Sequence, residues 1–162
     1  MQYTRNSDPN YYKDHQYSSN CGSYALQLQE WYDPEDYIID EVGNIYDWID
    51  ELGYEGYSDY EIASMYGTIL IEGMLEEFGG ELQLCDGRPP TTSDVELIAF
   101  NTWCYWEDGC DTDFDFHFRV YRNGKWMEKR GHLEVNECKL DEWGKYNGEV
   151  SFFYHRIGVE DE

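Results

Sequence analysis

The spacing of apolar residues divides the chain into a helical first half and a strand-rich second half. Apolar residues recur every three or four positions from Tyr24 to Tyr32 and again through the block 34–80, which is the spacing of helices with one buried face. After residue 95, apolar residues alternate with polar ones or form short runs, as strands do. Because the helices precede the strands, the pattern predicts an α+β fold with an antiparallel sheet.

Capping signals mark the helix boundaries. Asp33, which is followed by a proline, is a typical helix start and predicts one helix over 34–52. Ser58 and Glu61 form a capping box, which predicts a second helix that ends at Gly79-Gly80. Acidic residues fill the outer faces of both helices.

The second half contains one strong turn signal. Asn123-Gly124 is typical of a two-residue hairpin, so strand 114–122 is expected to return along 125–130. In that register Glu128 lies diagonal to His117 on the same face of the sheet, within reach of its ring. Further strands are predicted at 96–103, 133–135 and 150–157, which gives a sheet of four or five strands.

Length and composition favour one domain. The 162 residues suffice for a single core, and 41% of them are hydrophobic. We therefore expect one domain over 1–162, with an extended arm at 1–19, an acidic helical insertion at 34–80 and the sheet at 95–158.

The charge of the chain is strongly negative. With 35 acidic and 11 basic residues, the formal net charge is −24, which excludes ordinary nucleic-acid binding because a phosphate backbone would be repelled. A basic partner protein, including one whose own ligand is DNA or RNA, is compatible with this charge. Residues 1–20 lack the apolar run of a signal peptide, and no stretch has transmembrane length, so we expect a cytoplasmic protein without a membrane partner.

The five cysteines are odd in number and irregularly spaced, which is typical of a reducing compartment. Cys104, Cys110, Cys138 and His132 contain no Cys-x-x-Cys unit, and their spacing is poor for zinc. No metal or cofactor is therefore predicted.

Cys21 is the candidate nucleophile. It stands at the expected first turn of a helix, where the helix dipole is expected to lower the pKa of the thiol. His117, in the middle of a predicted strand, would act as the base, and Glu128 would fix its tautomer and orientation. His132 rivals Glu128 as the third member. Arg119 and Arg130 share the face of His117 and could pair with Glu128 and Asp115. Such pairing would give the carboxylate a structural role and weaken the triad.

An oxyanion hole requires two donors. The backbone amide of Cys21 would supply one, and the side-chain amide of Gln16 or of Asn20 would supply the other. Asn20 has a structural interpretation of equal weight, because asparagine is a preferred helix N-cap.

These residues also carry a resemblance. Asn20-Cys21-Gly22-Ser23-Tyr24-Ala25-Leu26, Asp115-Phe116-His117-Phe118 and the return strand Gly124-Lys125-Trp126 with Lys129 resemble a small group of papain-like proteins of bacteria and their phages. The wider superfamily includes papain, the NlpC-type peptidases and the CHAP amidases. The resemblance implies a papain-like fold with Cys21 as nucleophile, His117 as base and Glu128 as the orienting residue, although the superfamily usually has Asn, Asp, Gln or His in the third position. It also implies a bacteriophage origin.

Two functions follow. The first is a thiol-dependent hydrolase, a peptidase or amidase that acts on a cytosolic protein or peptide. The alternative is a non-catalytic acidic protein on a papain-like scaffold that mimics nucleic acid and inhibits a basic enzyme, for example in counter-defence.

Overall fold

The computed structural model describes residues 3–6, 8 and 10–156, which contain five α-helices and one six-stranded sheet. The helices are α1 (Tyr11–Asp14), α2 (Cys21–Leu26), α3 (Glu35–Val42), α4 (Ile45–Tyr54) and α5 (Asp59–Phe78). The strands are β1 (Leu82–Cys85), β2 (Val95–Tyr105), β3 (Asp113–Arg122), β4 (Lys125–Lys129), β5 (Val135–Glu137) and β6 (Ser151–Arg156). A short 3-10 turn, Gly79–Glu81, joins α5 to β1.

The sheet is antiparallel throughout and has the order β1-β6-β2-β3-β4-β5. The mixed helix-and-strand class with an antiparallel sheet is therefore confirmed. The predicted count of four or five strands is wrong, because β1 was missed. Leu82 is the one fully buried residue of this four-residue strand, and Gln83 and Leu84 are exposed, so its sequence has no clear alternation.

The hairpin between β3 and β4 has the predicted register. Arg122 pairs with Lys125 and Tyr121 with Trp126. Asn123 and Gly124 both have positive φ, 54° and 77°, as a tight two-residue hairpin turn requires. The next strand, predicted at 133–135, is shifted to Val135–Glu137.

The hydrophobic core lies between the helices and one face of the sheet. Helix α5 packs against β2, and its inward side chains recur every four residues and are fully buried. These side chains are Ile62, Tyr66, Leu70 and Met74. The acidic block 34–80 is consequently not an appendage to the fold, because its longest helix supplies one wall of the core.

The predicted helix over 34–52 is in fact two helices. Gly43, with φ 78°, ends α3, and the Asn44 side chain accepts a hydrogen bond from the amide of Asp47 to begin α4. The apolar spacing continues across this break, so periodicity alone could not reveal it.

The helix that begins at Cys21 is shorter than its apolar spacing predicts. Gln27 adopts the left-handed conformation, with φ 57°, and turns the chain out of α2. Leu28 then forms a β-bridge with Arg5, so part of the arm 1–19 is paired with 27–29. The arm also contains the short helix α1, which corrects the prediction that it is extended throughout.

Candidate active site

The N-terminus of α2 holds Cys21 against the sheet. Asn20 caps the helix: its Oδ1 accepts a hydrogen bond from the amide of Ser23 at 2.9 Å, and its Nδ2 donates to the carbonyl of Tyr32 at 2.6 Å. Cys21 is 5% exposed, and the backbone amide of Phe118 in β3 hydrogen-bonds to its sulfur. The ladder between β3 and β4 ends before Phe118, which leaves this amide available to the thiol. The cysteine is thus fixed beside the residue that follows His117.

Burial dominates the acidity of the thiol. Removal from water raises the pKa of Cys21 to about 12, and the charge of Asp115 acts in the same direction. The amides of Phe118 and Gly22 oppose this shift without reversing it. The expectation of a lowered pKa at the helix N-terminus is therefore wrong for the isolated thiol, because desolvation outweighs the dipole of a six-residue helix.

His117 lies on the face of the sheet opposite the core helices. Phe118 and Val120 of β3 point toward the core, so alternation places His117 and Arg119 on the other face. The segment after β5 covers this face. The His117 ring stacks on Tyr146, with ring centroids 5.3 Å apart, and meets the edge of Trp143.

Glu128 binds the His117 ring. The Glu128 Oε1 atom lies 2.7 Å from His117 Nε2 and 3.0 Å from Arg119 Nε, while Oε2 lies 3.1 Å from Arg130 Nε. Burial opposes ionisation of Glu128, but the hydrogen bonds and charges of His117, Arg130 and Arg119 outweigh it and lower its pKa to about 2. Glu128 is therefore a carboxylate at neutral pH. As considered from the sequence, both arginines pair with it.

This network defines the tautomer of His117. A carboxylate can only accept hydrogen bonds, so the hydrogen shared with Glu128 belongs to Nε2, and Nδ1 of the neutral ring carries a lone pair. Burial lowers the pKa of His117, Glu128 opposes this, and the charges of Arg119 and Arg130 lower it further. The ring is consequently a neutral base at pH 7.

Cys21 and His117 line one cavity of about 500 Å³. Its wall also contains four aromatic residues, Trp31, Phe116, Trp143 and Tyr146. The ionisable groups on the wall, besides the two candidate residues, are Asp33, Glu35, Asp115, Arg130 and Lys145. The arrangement places a thiol and a neutral imidazole on the wall of a space that a peptide-sized group can enter, and the Glu128 carboxylate holds the imidazole from outside that wall.

Glu35 is a cavity residue that the sequence argument missed. Burial raises its pKa to about 7, although the Tyr66 hydroxyl donates a hydrogen bond to it at 2.8 Å. Burial also raises the pKa of Asp33. Asp33 and Glu35 appeared in the sequence only as part of a helix start, and nothing in their spacing indicated that they face the thiol. The segment 139–146, which covers His117, likewise carries no recognisable motif.

The two candidates for the oxyanion hole are separated by the fold. Asn20 lines the cavity, but its side chain serves as the helix cap and bonds to Tyr32. The Gln16 side chain lines a different cavity, of about 650 Å³, with Tyr12 and Arg122. His132, the rival to Glu128, is exposed and stacks on Tyr17, with ring centroids 6.1 Å apart, so it is not brought to the site.

Among residues 3–6, 8 and 10–156, no group of three or more His, Cys, Asp or Glu side chains could hold a metal ion. None of the helices in this part of the chain is long and apolar enough to cross a bilayer. Comparisons of the chain with protein-family models, with curated proteins and with solved structures gave no match.

Proposed function

We propose that the protein is a thiol-dependent hydrolase of peptide or amide bonds, with a papain-like arrangement of Cys21, His117 and Glu128. The observation that carries the proposal is the 2.7 Å contact between His117 Nε2 and Glu128, made beside a cavity that Cys21 also lines. This contact leaves Nδ1 as the basic atom of the ring. The sequence resemblance to papain-like proteins, which rests on the same residues, adds to it.

In the proposed reaction, His117 Nδ1 takes the proton of the Cys21 thiol as the sulfur attacks a substrate carbonyl carbon. The C–N bond breaks as the tetrahedral intermediate collapses, and the imidazolium returns the proton to the leaving amine. Water, activated by the neutral imidazole, then hydrolyses the thioester and frees the thiol. Because the thiol pKa is raised, proton transfer accompanies attack rather than preceding it.

Glu128 orients His117 and stabilises the imidazolium that forms during the reaction. Arg119 and Arg130 keep Glu128 ionised, but their two positive charges also offset part of its attraction for the imidazolium. A weaker attraction for the imidazolium is consistent with Cys21 and His117 both being neutral before substrate binds.

The substrate class that we favour is a protein or peptide with a positively charged side chain near the cleaved bond. Three carboxyl groups, those of Asp33, Glu35 and Asp115, line the cavity, and the formal net charge of the chain is −24. The two cations on the same wall, Arg130 and Lys145, are already paired with Glu128 and Asp115. An anionic field attracts cations and raises their local concentration. We propose that this substrate is met in the cytoplasm.

Hydrolysis of a peptide library, monitored by mass spectrometry, tests the proposal. We expect cleavage by the wild type and a loss of at least about 1,000-fold in Cys21→Ala, because the nucleophile acts as a unit with its base. Cys85→Ala is the matched control, because Cys85 is a half-buried thiol in β1, on the opposite edge of the sheet from β5. Equal cleavage by Cys21→Ala and the wild type would overturn the proposal.

The second candidate function is an acidic inhibitor that imitates nucleic acid. The observation that favours it is a groove of about 540 Å³ between α3 and α5, lined by the exposed carboxylates of Asp40, Glu41, Glu72 and Glu76. A surface of this kind fits a basic nucleic-acid channel.

Inhibition of a panel of DNA-cleaving enzymes separates the two functions. If the protein is an inhibitor, inhibition should be unchanged in Cys21→Ala and weaker at high salt. It should be lost when Asp40→Lys and Glu72→Lys are combined. Glu137→Lys, an exposed reversal on β5, is the control for net charge. Inhibition that survives the double reversal would exclude this groove as the binding surface.

A further inference from the structure

Lys129 is a fully buried cation at the end of β4. Its Nζ donates hydrogen bonds to the backbone carbonyls of Gln16, Ser19 and Gly131. Three acceptors around one nitrogen require three hydrogens, so the side chain is held as an ammonium rather than as a neutral amine. Gln16 and Ser19 belong to the segment that leads directly into Cys21, whereas Gly131 belongs to the loop after β4. Lys129 therefore holds residues 16–19, which lead into Cys21, against β4, the strand that carries Glu128.

The charge of Lys129 has no carboxylate partner among the described residues. The two cations that line the cavity do have one: Arg130 pairs with Glu128 at 3.1 Å and Lys145 with Asp115 at 3.3 Å. Burial lowers the pKa of Lys129 to about 8, and the charge that opposes this shift is that of Cys21. A buried ammonium that binds only neutral carbonyls is costly, and an anion beside it would offset the cost.

The remaining ionisable groups around the sulfur do not favour the thiolate. The charge of Asp115 raises the pKa of Cys21, and the ionised form of Tyr146 would repel the thiolate. His117 is neutral until it receives the proton of the thiol. Arg130 lines the cavity but is itself bound to Glu128. Among these groups, Lys129 is thus the cation that can stabilise negative charge on the Cys21 sulfur.

We propose that Lys129 is the positioning residue of the thiol: its buried ammonium ties the segment before Cys21 to β4 and serves as the counter-charge when the thiolate forms. The inference rests on the proposed function, in which the Cys21 sulfur gains negative charge as its proton passes to His117. It adds a residue to the site and a physical reason why a deeply buried cysteine can ionise at all. Lys129 stands out in the sequence only as part of the resemblance, which implies no role for it, and lysine on a strand next to a turn is usually exposed.

The pH dependence of Cys21 alkylation tests this role without requiring a substrate. The rate of modification by iodoacetamide is measured for each cysteine by peptide mass spectrometry between pH 6 and pH 11, in the wild type, Lys129→Met and Lys125→Met. Lys125 is on the same strand but 62% exposed, and its nearest carboxylate, Glu137, lies 3.9 Å away, so its variant controls for the loss of one charge. In Lys129→Met we expect Cys21 alkylation at pH 7 to be about tenfold slower than in the wild type, and this difference to shrink above pH 8, where Lys129 itself loses its charge. Lys125→Met should match the wild type.

A conservative variant separates charge from packing. Lys129→Arg keeps the positive charge although it cannot reproduce the three hydrogen bonds from one atom. We expect its rate of Cys21 alkylation at pH 7 to stay near that of the wild type even if its melting temperature falls. A folded Lys129→Met protein that alkylates at the wild-type rate at pH 7, or a Lys129→Arg protein slowed as much as Lys129→Met, would overturn the proposal.

If Lys129→Met does not fold, the wild-type protein answers the same question by NMR. We expect slowly exchanging Lys129 Nζ hydrogens at pH 6 and a Nζ resonance that moves when Cys21 is carboxamidomethylated. Rapid exchange of the Nζ hydrogens, or a Nζ resonance that does not move on modification of Cys21, would overturn the role of Lys129. The proposed function fails separately, if Cys21 in the wild type reacts no faster than Cys85 at any pH.

Discussion

Glu128 shows how one carboxylate can serve both the fold and the proposed chemistry. Its two oxygens accept hydrogen bonds from His117, Arg119 and Arg130, and it is 7% exposed. Arg119, 1% exposed, also donates to the carbonyls of a loop that covers His117. Removing the carboxylate would therefore leave a buried guanidinium without its counter-charge, as well as freeing the imidazole.

Glu128→Gln is expected to lower the free energy of unfolding at pH 7 by about 3 kcal/mol, because it breaks a buried ion pair by removing one partner. The pKa of Glu128 is lower in the folded protein, about 2 against an ordinary 4.5, so its contribution is present above pH 4.5 and is lost as the pH falls toward 2. The difference between the variant and the wild type should shrink over that interval in urea denaturation. Glu137→Gln, at an exposed position, should change stability by less than about 0.5 kcal/mol. A pH-independent difference would contradict the assignment.

Glu35 should affect stability in the opposite sense. Its pKa is raised from 4.5 to about 7 in the folded protein, so the ionised form destabilises the fold above pH 7, and this cost disappears as the pH falls toward 4.5. Glu35→Gln keeps a carbonyl oxygen for the Tyr66 hydroxyl and should stabilise the protein by about 1 kcal/mol at pH 8, after allowance for partial exposure. At pH 5 the variant and the wild type should be equal. Thermal unfolding at both pH values checks this, with the exposed Glu41→Gln as control; equal stabilisation at pH 5 and pH 8 would refute it.

At the scale of elements, the sequence correctly predicted the features that depend on residues close together in the chain. The Ser58 capping box, the Asn123-Gly124 turn and the register of the hairpin follow from short-range hydrogen bonds and backbone conformation, and the sequence predicted them correctly. The break at Gly43 and the early end of α2 at Gln27 were missed, because apolar spacing continues through both. Strand β1 was missed because it is short and mostly exposed, and its place is set by pairing with the distant β6.

The residues of the candidate site also fall into those that local features of the sequence predicted and those that they did not. Cys21, His117 and Glu128 could be chosen from the sequence because a helix start and a hairpin register are local features. Lys129 and Glu35 could not, since their roles depend on segments more than a hundred residues apart or on packing around a cavity. The raised thiol pKa was missed for the same reason: burial is a property of the whole fold.

Helix α2 needs a glycine next to the cysteine. A Cβ at Gly22 would lie 2.6 Å from Cδ2 of Tyr32, which is fully buried, and 3.3 Å from Phe118. Gly22→Ala should therefore cost about 2 kcal/mol in the free energy of unfolding and displace Cys21, despite the higher helix propensity of alanine. Gly80→Ala, where an added Cβ meets no atom within 4 Å, should be nearly neutral. Urea denaturation of both variants tests this, and equal stability would show that α2 does not pack as described.

At the scale of the whole molecule, the formal charge of −24 must oppose folding through self-repulsion. Screening shortens the range of that repulsion to about 8 Å at 0.15 M salt. We therefore expect the melting temperature to rise between 0.01 M and 0.3 M NaCl, and to rise equally with KCl if the effect is screening rather than ion binding. A flat or falling melting temperature would contradict a dominant contribution of repulsion between surface charges.

Acylation of Cys21 by an activated ester tests the central claim most directly. After incubation with p-nitrophenyl acetate, peptide mass spectrometry locates the acetyl group and measures its rate of transfer at each of the five cysteines. We predict rapid acetylation of Cys21, at least about tenfold slower acetylation in His117→Ala because the base is lost, and no change in Cys85→Ala. Acetyl transfer that bypasses Cys21, or that proceeds equally fast without His117, would contradict the account of this cavity as the active site of a thiol hydrolase.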